Sequence, residues 1–261
     1  MRIFRVALTF LTVFPAGIRT FQGAGELARS AVFFPLVGLI LGGMTAAAVD
    51  LLQEFVPLAP LLVLVLAALF FLTRGLHLDG LADTADGLIG GLNKERALEI
   101  MKDGAVGPMG AGAVLLVFLF KYTALASAPA ALLLALLVLT PVSGRWSMVL
   151  AGAAFGPAKP EGLGSQFIRG LTWGRFAASS VVPLAVLLVF SWLGSASLVL
   201  PLLSGVLLAL VLALFCAQQA ARRLDGLTGD VLGAVNEIAE SAFLLGSLLG
   251  YGLMAAFGVL V

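Results

Sequence analysis

The chain has 261 residues, of which 61% are hydrophobic and only 11% charged, and its formal net charge is +1. A soluble domain carries about a quarter charged residues, so this composition excludes an ordinary soluble fold and points to an integral membrane protein. The small net charge leaves no electrostatic footprint for nucleic acid, and a single cysteine, Cys216, excludes a disulfide framework or a thiolate metal site.

The opening, MRIFRVALTFLTVFPAG, is an apolar run too short to span a bilayer, ended by Pro15 and Gly17 and followed by no cleavage pattern. It is expected to be a re-entrant or interfacial segment. Seven apolar stretches then have spanning length, roughly 31–52, 57–74, 110–127, 130–150, 176–193, 198–217 and 241–260. The third and fourth are divided by Pro129, and a kinked continuous hairpin is the alternative there. Long polar connections cover 75–109, 151–175 and 218–240, whereas those near 53–57, 128–129 and 194–197 are short. The expected fold is an all-α polytopic membrane bundle of about seven spanning helices, a single domain over 1–261 whose surroundings are the lipid bilayer.

The basic residues sort onto one side. Arg2, Arg5, Arg19 and Arg29 precede the first span, and the remaining Lys and Arg lie in or beside the long connections. Lys121 alone sits inside a span, where it faces the bundle interior or snorkels. The excess of positive charge predicts that the N-terminus and the three long connections are cytoplasmic and the C-terminus lies on the far side.

The stretch 73–110 is the longest polar interval, and it is crowded with carboxylates. Asp79, Asp83 and Asp86 follow one another at i, i+4 and i+7, which on a helix forms one stripe. Glu95, Glu99 and Asp103 repeat the pattern. Like charges on one helical face repel, so the stripe costs stability unless a cation binds it. A hard metal with oxygen ligands, Mg²⁺ foremost, fits that donor set and brings phosphates with it. Asp79, Asp83, Asp86, Glu99 and Asp103 are the candidate ligands, and Lys102 is a point charge for an anion. Further along, Thr228 or Asp230 can cap a helix on which Asp230, Glu237 and Glu240 share roughly one side. Glu240, at the head of the last apolar stretch, is either a functional ionisable group or an interfacial residue that reaches water. Arg145 reads as a phosphate clamp or as an anchor beside Trp146. His77, the sole histidine, reads as a hydrogen-bonding group. The EGLGSQFIRG segment at 161–170 is a polar, glycine-bearing stretch able to lie over a ligand.

The blocks HLDGLADTADG, ERALEIMKDG, EGLG and GLTGDVLGAVNEIAE, with ALTFLTVFPAG and FFPLVGLILG before them, resemble the cobalamin synthase family, the adenosylcobinamide-GDP ribazoletransferases. The segment DTADG also resembles the start of the CDP-alcohol phosphotransferase motif, whose Ala-Arg is absent here. The cobalamin synthase resemblance implies a multi-pass enzyme of a prokaryotic cytoplasmic membrane. It would join adenosylcobinamide-GDP to α-ribazole or its 5′-phosphate with release of GMP, with Mg²⁺ as cofactor. In that chemistry Asp86 or Asp103 is the candidate catalytic base. His77, Lys102, Arg145, Asp230, Glu237 and Glu240 become candidate substrate-binding residues. Homo-oligomerisation is left open. A cation- or proton-coupled transporter is the rival class; no repeated halves are visible in the sequence, and Lys121 is the only mid-span charge.

Overall fold

The computed structural model describes residues 1–18, 22–193 and 198–257. Arg19 and the short connection 194–197 therefore lie outside the described residues. The chain is helical from end to end. Helices α1 (Arg2–Leu11), α2 (Ala24–Ser30), α3 (Phe34–Leu52) and α4 (Leu58–Leu72) are followed by α5 (Leu76–Gly90), α6 (Lys94–Ile100) and α7 (Pro108–Ala126). Then come α8 (Ala130–Ala154), α9 (Leu163–Arg169), α10 (Trp173–Ser179), α11 (Val181–Leu193), α12 (Val199–Leu224) and α13 (Gly229–Ala256).

Six segments are long and apolar enough to cross a membrane: Ala24–Leu52, Pro108–Ala126, Ala130–Ala154, Trp173–Trp192, Val199–Leu224 and Gly229–Ala256. A seventh candidate is α4, which has the required length and hydropathy only together with α5. The chain turns by 85° between the two, so α5 runs across the end of the bundle. The turn is made by Arg74 and Gly75, both left-handed at φ 56° and 65°. The Arg74 guanidinium donates to the carbonyls of Thr9 and Phe10, at 3.2 and 3.0 Å, and the Val13 amide donates to the Leu72 carbonyl at 2.8 Å. The ten-residue α1, too short to span, is thereby fastened to the turn that places the acidic helix.

Close approaches of backbone hold the bundle. Gly38 and Gly42 of α3 abut the α8 backbone at Pro141 and Val138, and Gly205 of α12 meets Phe243 and Ser247 of α13. With no hydrophobic driving force between helices in lipid, such small-residue contacts supply the packing. Gly80 of α5 lies against the backbone of Asp230, and Gly233 of α13 lies against Gly80 and His77. That crossing sets the acidic helix directly on the start of α13.

Much of the long polar connections is helical, as the Asp stripe and the cap at Thr228 suggest. The interval 75–109 is mostly α5 and α6, and the interval 218–240 is mostly the ends of α12 and α13 around a turn at Asp225 and Gly226. At about 1.5 Å per residue, helices of 26 and 28 residues exceed a hydrocarbon core of about 30 Å, so their polar ends project beyond it. The three connections meet one another. Lys94 pairs with Asp225 at 3.1 Å, the Arg223 guanidinium donates to the Gly91 carbonyl at 2.9 Å, and Leu227 pairs with Pro157 through amide–carbonyl bonds on both sides. One end of the bundle thus carries all of the long polar segments.

Candidate active site at the polar end of the bundle

Asp79 and Asp83 stand one turn apart on α5, exposed and half-buried respectively, and α5 crosses α13 at Asp230. Among the described residues no Lys or Arg lies within ion-pair distance of Asp79 or Asp83. Burial, followed by repulsion from Asp79, Asp230 and Asp86, pushes the Asp83 carboxyl up to about 6. This repulsion is what a bound cation would relieve. Among the described residues no three or more His, Cys, Asp or Glu side chains converge as a ready ligand cluster. The site therefore has the donor chemistry of a hard-cation site, with Asp79, Asp83 and Asp230 around the α5–α13 crossing, without a gathered coordination sphere.

Asp86 is placed differently. Its oxygens accept the Gly107 amide at 2.7 Å and the Gly110 amide at 2.8 Å. Those are orphan donors at the N-terminus of α7, where Pro108 supplies none. Buried and doubly bonded, Asp86 pins α7 to α5. Glu99 and Asp103 are exposed on and just after α6, and Glu99 pairs with Arg96 at 2.6 Å. They border a separate depression with Arg96, Ile100 and Lys102. The structure does not bring them to Asp79 and Asp83.

Beside Asp230 opens a pocket of about 230 Å³ with Lys102 and Lys159 on its walls and Thr228 and Gly229 at the start of α13. Thr228 caps α13, its hydroxyl accepting the Val231 amide at 3.2 Å. Burial lowers the Lys159 ammonium below its ordinary value, and the neighbouring Lys102 charge lowers it further. Two repelling ammonium groups at a helix N-terminus form an anion-attracting surface. Lys159 went unnoticed in the sequence because the two lysines lie in different connections.

On the other side of Asp230 lies a larger cavity of about 640 Å³, shared by α1, α2, α5, α8, α9 and α13. Asp79, Asp230 and His77 reach it, and Phe10 and Phe167 form part of its apolar wall. Helix α9, formed by the 161–170 segment, closes one side.

Below these pockets a charge network is buried in the bundle. The Lys121 ammonium donates to Glu237 at 2.6 Å and to Glu240 at 2.5 Å. The Arg145 guanidinium donates to Glu240 at 3.0 Å, and the Asn236 amide donates to Glu240 at 3.0 Å and Glu237 at 3.2 Å. Two cations face two anions, so the group is neutral as a whole. Lys121 faces the interior rather than snorkelling, and Arg145, 2% exposed, is a core residue rather than a membrane anchor. Lys121 is thus one of four charges at depth. The signal was present: two glutamates at i and i+3 on an apolar helix require a buried cation. Among the described residues His77 Nε2, Thr140 Oγ1 and Arg145 Nε have no hydrogen-bond partner, and these three side chains border a cavity of about 60 Å³.

The chain matches the family model described as cobalamin-5-phosphate synthase over residues 3–248. It is 36% identical over 255 residues to an adenosylcobinamide-GDP ribazoletransferase of Desulfitobacterium hafniense (strain Y51), covering 95% of this chain and 96% of that protein. A protein of the same name from Syntrophobacter fumaroxidans (strain DSM 10017 / MPOB) is 42% identical over 241 residues, covering 91% and 94%. Another from Roseiflexus sp. (strain RS-1) is 40% identical over 238 residues, covering 90% and 84%. No solved structure matches the chain. The match extends from α1 into α13 and takes in all three connections that build the polar end of the bundle, so the chain belongs to the cobalamin-5-phosphate synthase family.

Proposed function

We propose that the chain is an adenosylcobinamide-GDP ribazoletransferase of a prokaryotic cytoplasmic membrane, with the polar end of the bundle on the cytoplasmic side. It joins adenosylcobinamide-GDP to α-ribazole or its 5′-phosphate and releases GMP. The observation that carries this reading, beside the family, is one juxtaposition: unpaired carboxylates at the α5–α13 crossing next to a two-lysine pocket at the α13 N-terminus. Transfer at a diphosphate needs both, cation-binding groups and anion-binding groups within one ligand's length.

Asp79 and Asp230, which repel each other and Asp83, suit Mg²⁺ by their donor chemistry. Bound there, Mg²⁺ would neutralise charge on the diphosphate and on the departing GMP. Lys102 and Lys159 hold phosphate oxygens of the donor. A ribose hydroxyl of the acceptor attacks the phosphorus nearer cobinamide. A new P–O bond forms, the bridging P–O bond breaks, and GMP leaves with the bond's electron pair. Asp83 accepts the hydroxyl proton; without metal its carboxyl is pushed up to about 6, and Mg²⁺ on Asp79 and Asp230 would lower it, which keeps it ionised as a base near neutral pH. Asp86 holds α7 in place, and Arg145, Glu237 and Glu240 fix α8 against α13 beneath the site.

The test is turnover in liposomes with adenosylcobinamide-GDP, α-ribazole 5′-phosphate and Mg²⁺, following GMP and corrinoid product. Product that disappears with EDTA supports the reading. Folded protein that releases no GMP from this pair refutes it.

A further inference from the structure

The cavity of about 640 Å³ divides by chemistry. Its polar side chains are His77, Asp79 and Asp230, all from α5 and α13. The opposite wall, from α1, α2 and α9, is hydrocarbon: Phe10, Leu27, Leu163 and Phe167. Phe10 and Phe167 belong to one aromatic cluster with Phe34, their ring centroids 5.9 to 6.2 Å apart. Packed rings of this kind make a fixed wall for another flat ring. The volume lies within the range that holds a nucleoside-sized ligand.

The reaction proposed above brings two aromatic nucleosides, guanosine in the donor and the nucleoside of the acceptor. Guanine carries N–H and C=O groups around its rim. Against this wall each would lose water and gain no partner, at about 1–3 kcal/mol apiece. A fused ring with a hydrocarbon rim loses nothing there. We infer that this cavity is the acceptor subsite: the Phe10–Phe167 wall takes a hydrocarbon-rimmed aromatic base, and the ribose points to Asp79 and Asp230. The inference rests on the ribazoletransferase reading and adds to it where the acceptor sits and why its base is selected. It also places the ribose at Asp79 and Asp230, with the donor diphosphate in the adjoining two-lysine pocket that shares Asp230.

Two cavity-filling variants test this. Leu163, 73% exposed, and the half-buried Leu27 both border this cavity and neither borders the two-lysine pocket, so Leu163→Trp and Leu27→Trp narrow the cavity alone. Each is expected to raise the KM for α-ribazole at least tenfold while the KM for adenosylcobinamide-GDP moves less than twofold. In the wild type, a purine riboside offered as acceptor is expected to show at least a tenfold higher KM than α-ribazole. A raised donor KM with an unchanged acceptor KM overturns the inference, and so does equal use of the purine riboside. Equilibrium dialysis with labelled α-ribazole separates this from the parent reading. Binding weakened tenfold in both variants upholds the cavity assignment even if no GMP is released, and binding unchanged in both overturns it.

Discussion

Asp83 is the residue on which the site's electrostatics are most visible. Its carboxyl titrates at about 6 rather than at the ordinary 3.8, through burial and the neighbouring carboxylates. The folded state therefore holds a proton that the unfolded chain has released, and metal-free stability falls as pH rises from about 4 to about 6. In Asp83→Asn that slope is expected to become shallower, the part due to Asp230, which is raised as well, remaining, as read by thermal melting in detergent across this range. The same variant is expected to lose at least 100-fold in turnover and to lose the acid limb of the pH–rate profile, which Mg²⁺ on Asp79 and Asp230 would set below the metal-free value of about 6. Asp79→Asn is instead expected to raise the Mg²⁺ concentration needed for half-maximal rate and to weaken the rise in melting temperature that Mg²⁺ produces. If Asp79→Asn responds to Mg²⁺ as the wild type does, the metal assignment is wrong. Asp86 behaves otherwise: Asp86→Ala strips two amide bonds from the α7 N-terminus and is expected to cost about 1–2 kcal/mol of stability.

Between elements, the decisive contacts are α7 and α8 against α13. Lys121→Met leaves Glu237 and Glu240 with a single guanidinium between them, and breaking such a buried set typically costs about 3–5 kcal/mol. A steep loss of thermal stability is expected, part of which returns in Lys121→Met/Glu237→Gln because the stranded charge is removed. Additive losses in that pair would show that the two groups are not coupled. Sequence spacing makes the helical register of Asp79 and Asp83 legible and flags Glu237 and Glu240 as unusual at their depth. It places Asp86 in the same stripe, although that residue faces the start of α7. A side chain at i+7 points along its own helix face, but which neighbour covers that face is a matter of packing.

For the whole molecule, the three long connections share one end. With Cys216 replaced, a single cysteine at Glu95 is expected to react with an impermeant thiol reagent only from the cytoplasmic side. One at Phe55, in the short connection between α3 and α4, is expected to react only from outside. Labelling of both from the same side would overturn the seven-crossing topology. Hydropathy and the distribution of Lys and Arg are properties of each segment against the bilayer, so the sequence by itself determines the membrane bundle, its crossings and the clustering of acidic blocks. The glycine-spaced motifs also make the family legible. Only the tertiary structure decides which carboxylates face one another. That choice depends on the 85° turn after α4 and on the Gly80–Gly233 crossing, two backbone geometries that bring together residues some 150 positions apart. The pairing of Lys102 with Lys159, the neutral network beneath the site and the aromatic wall from α1 and α9 arise in the same way, from distant segments whose encounter no local pattern records.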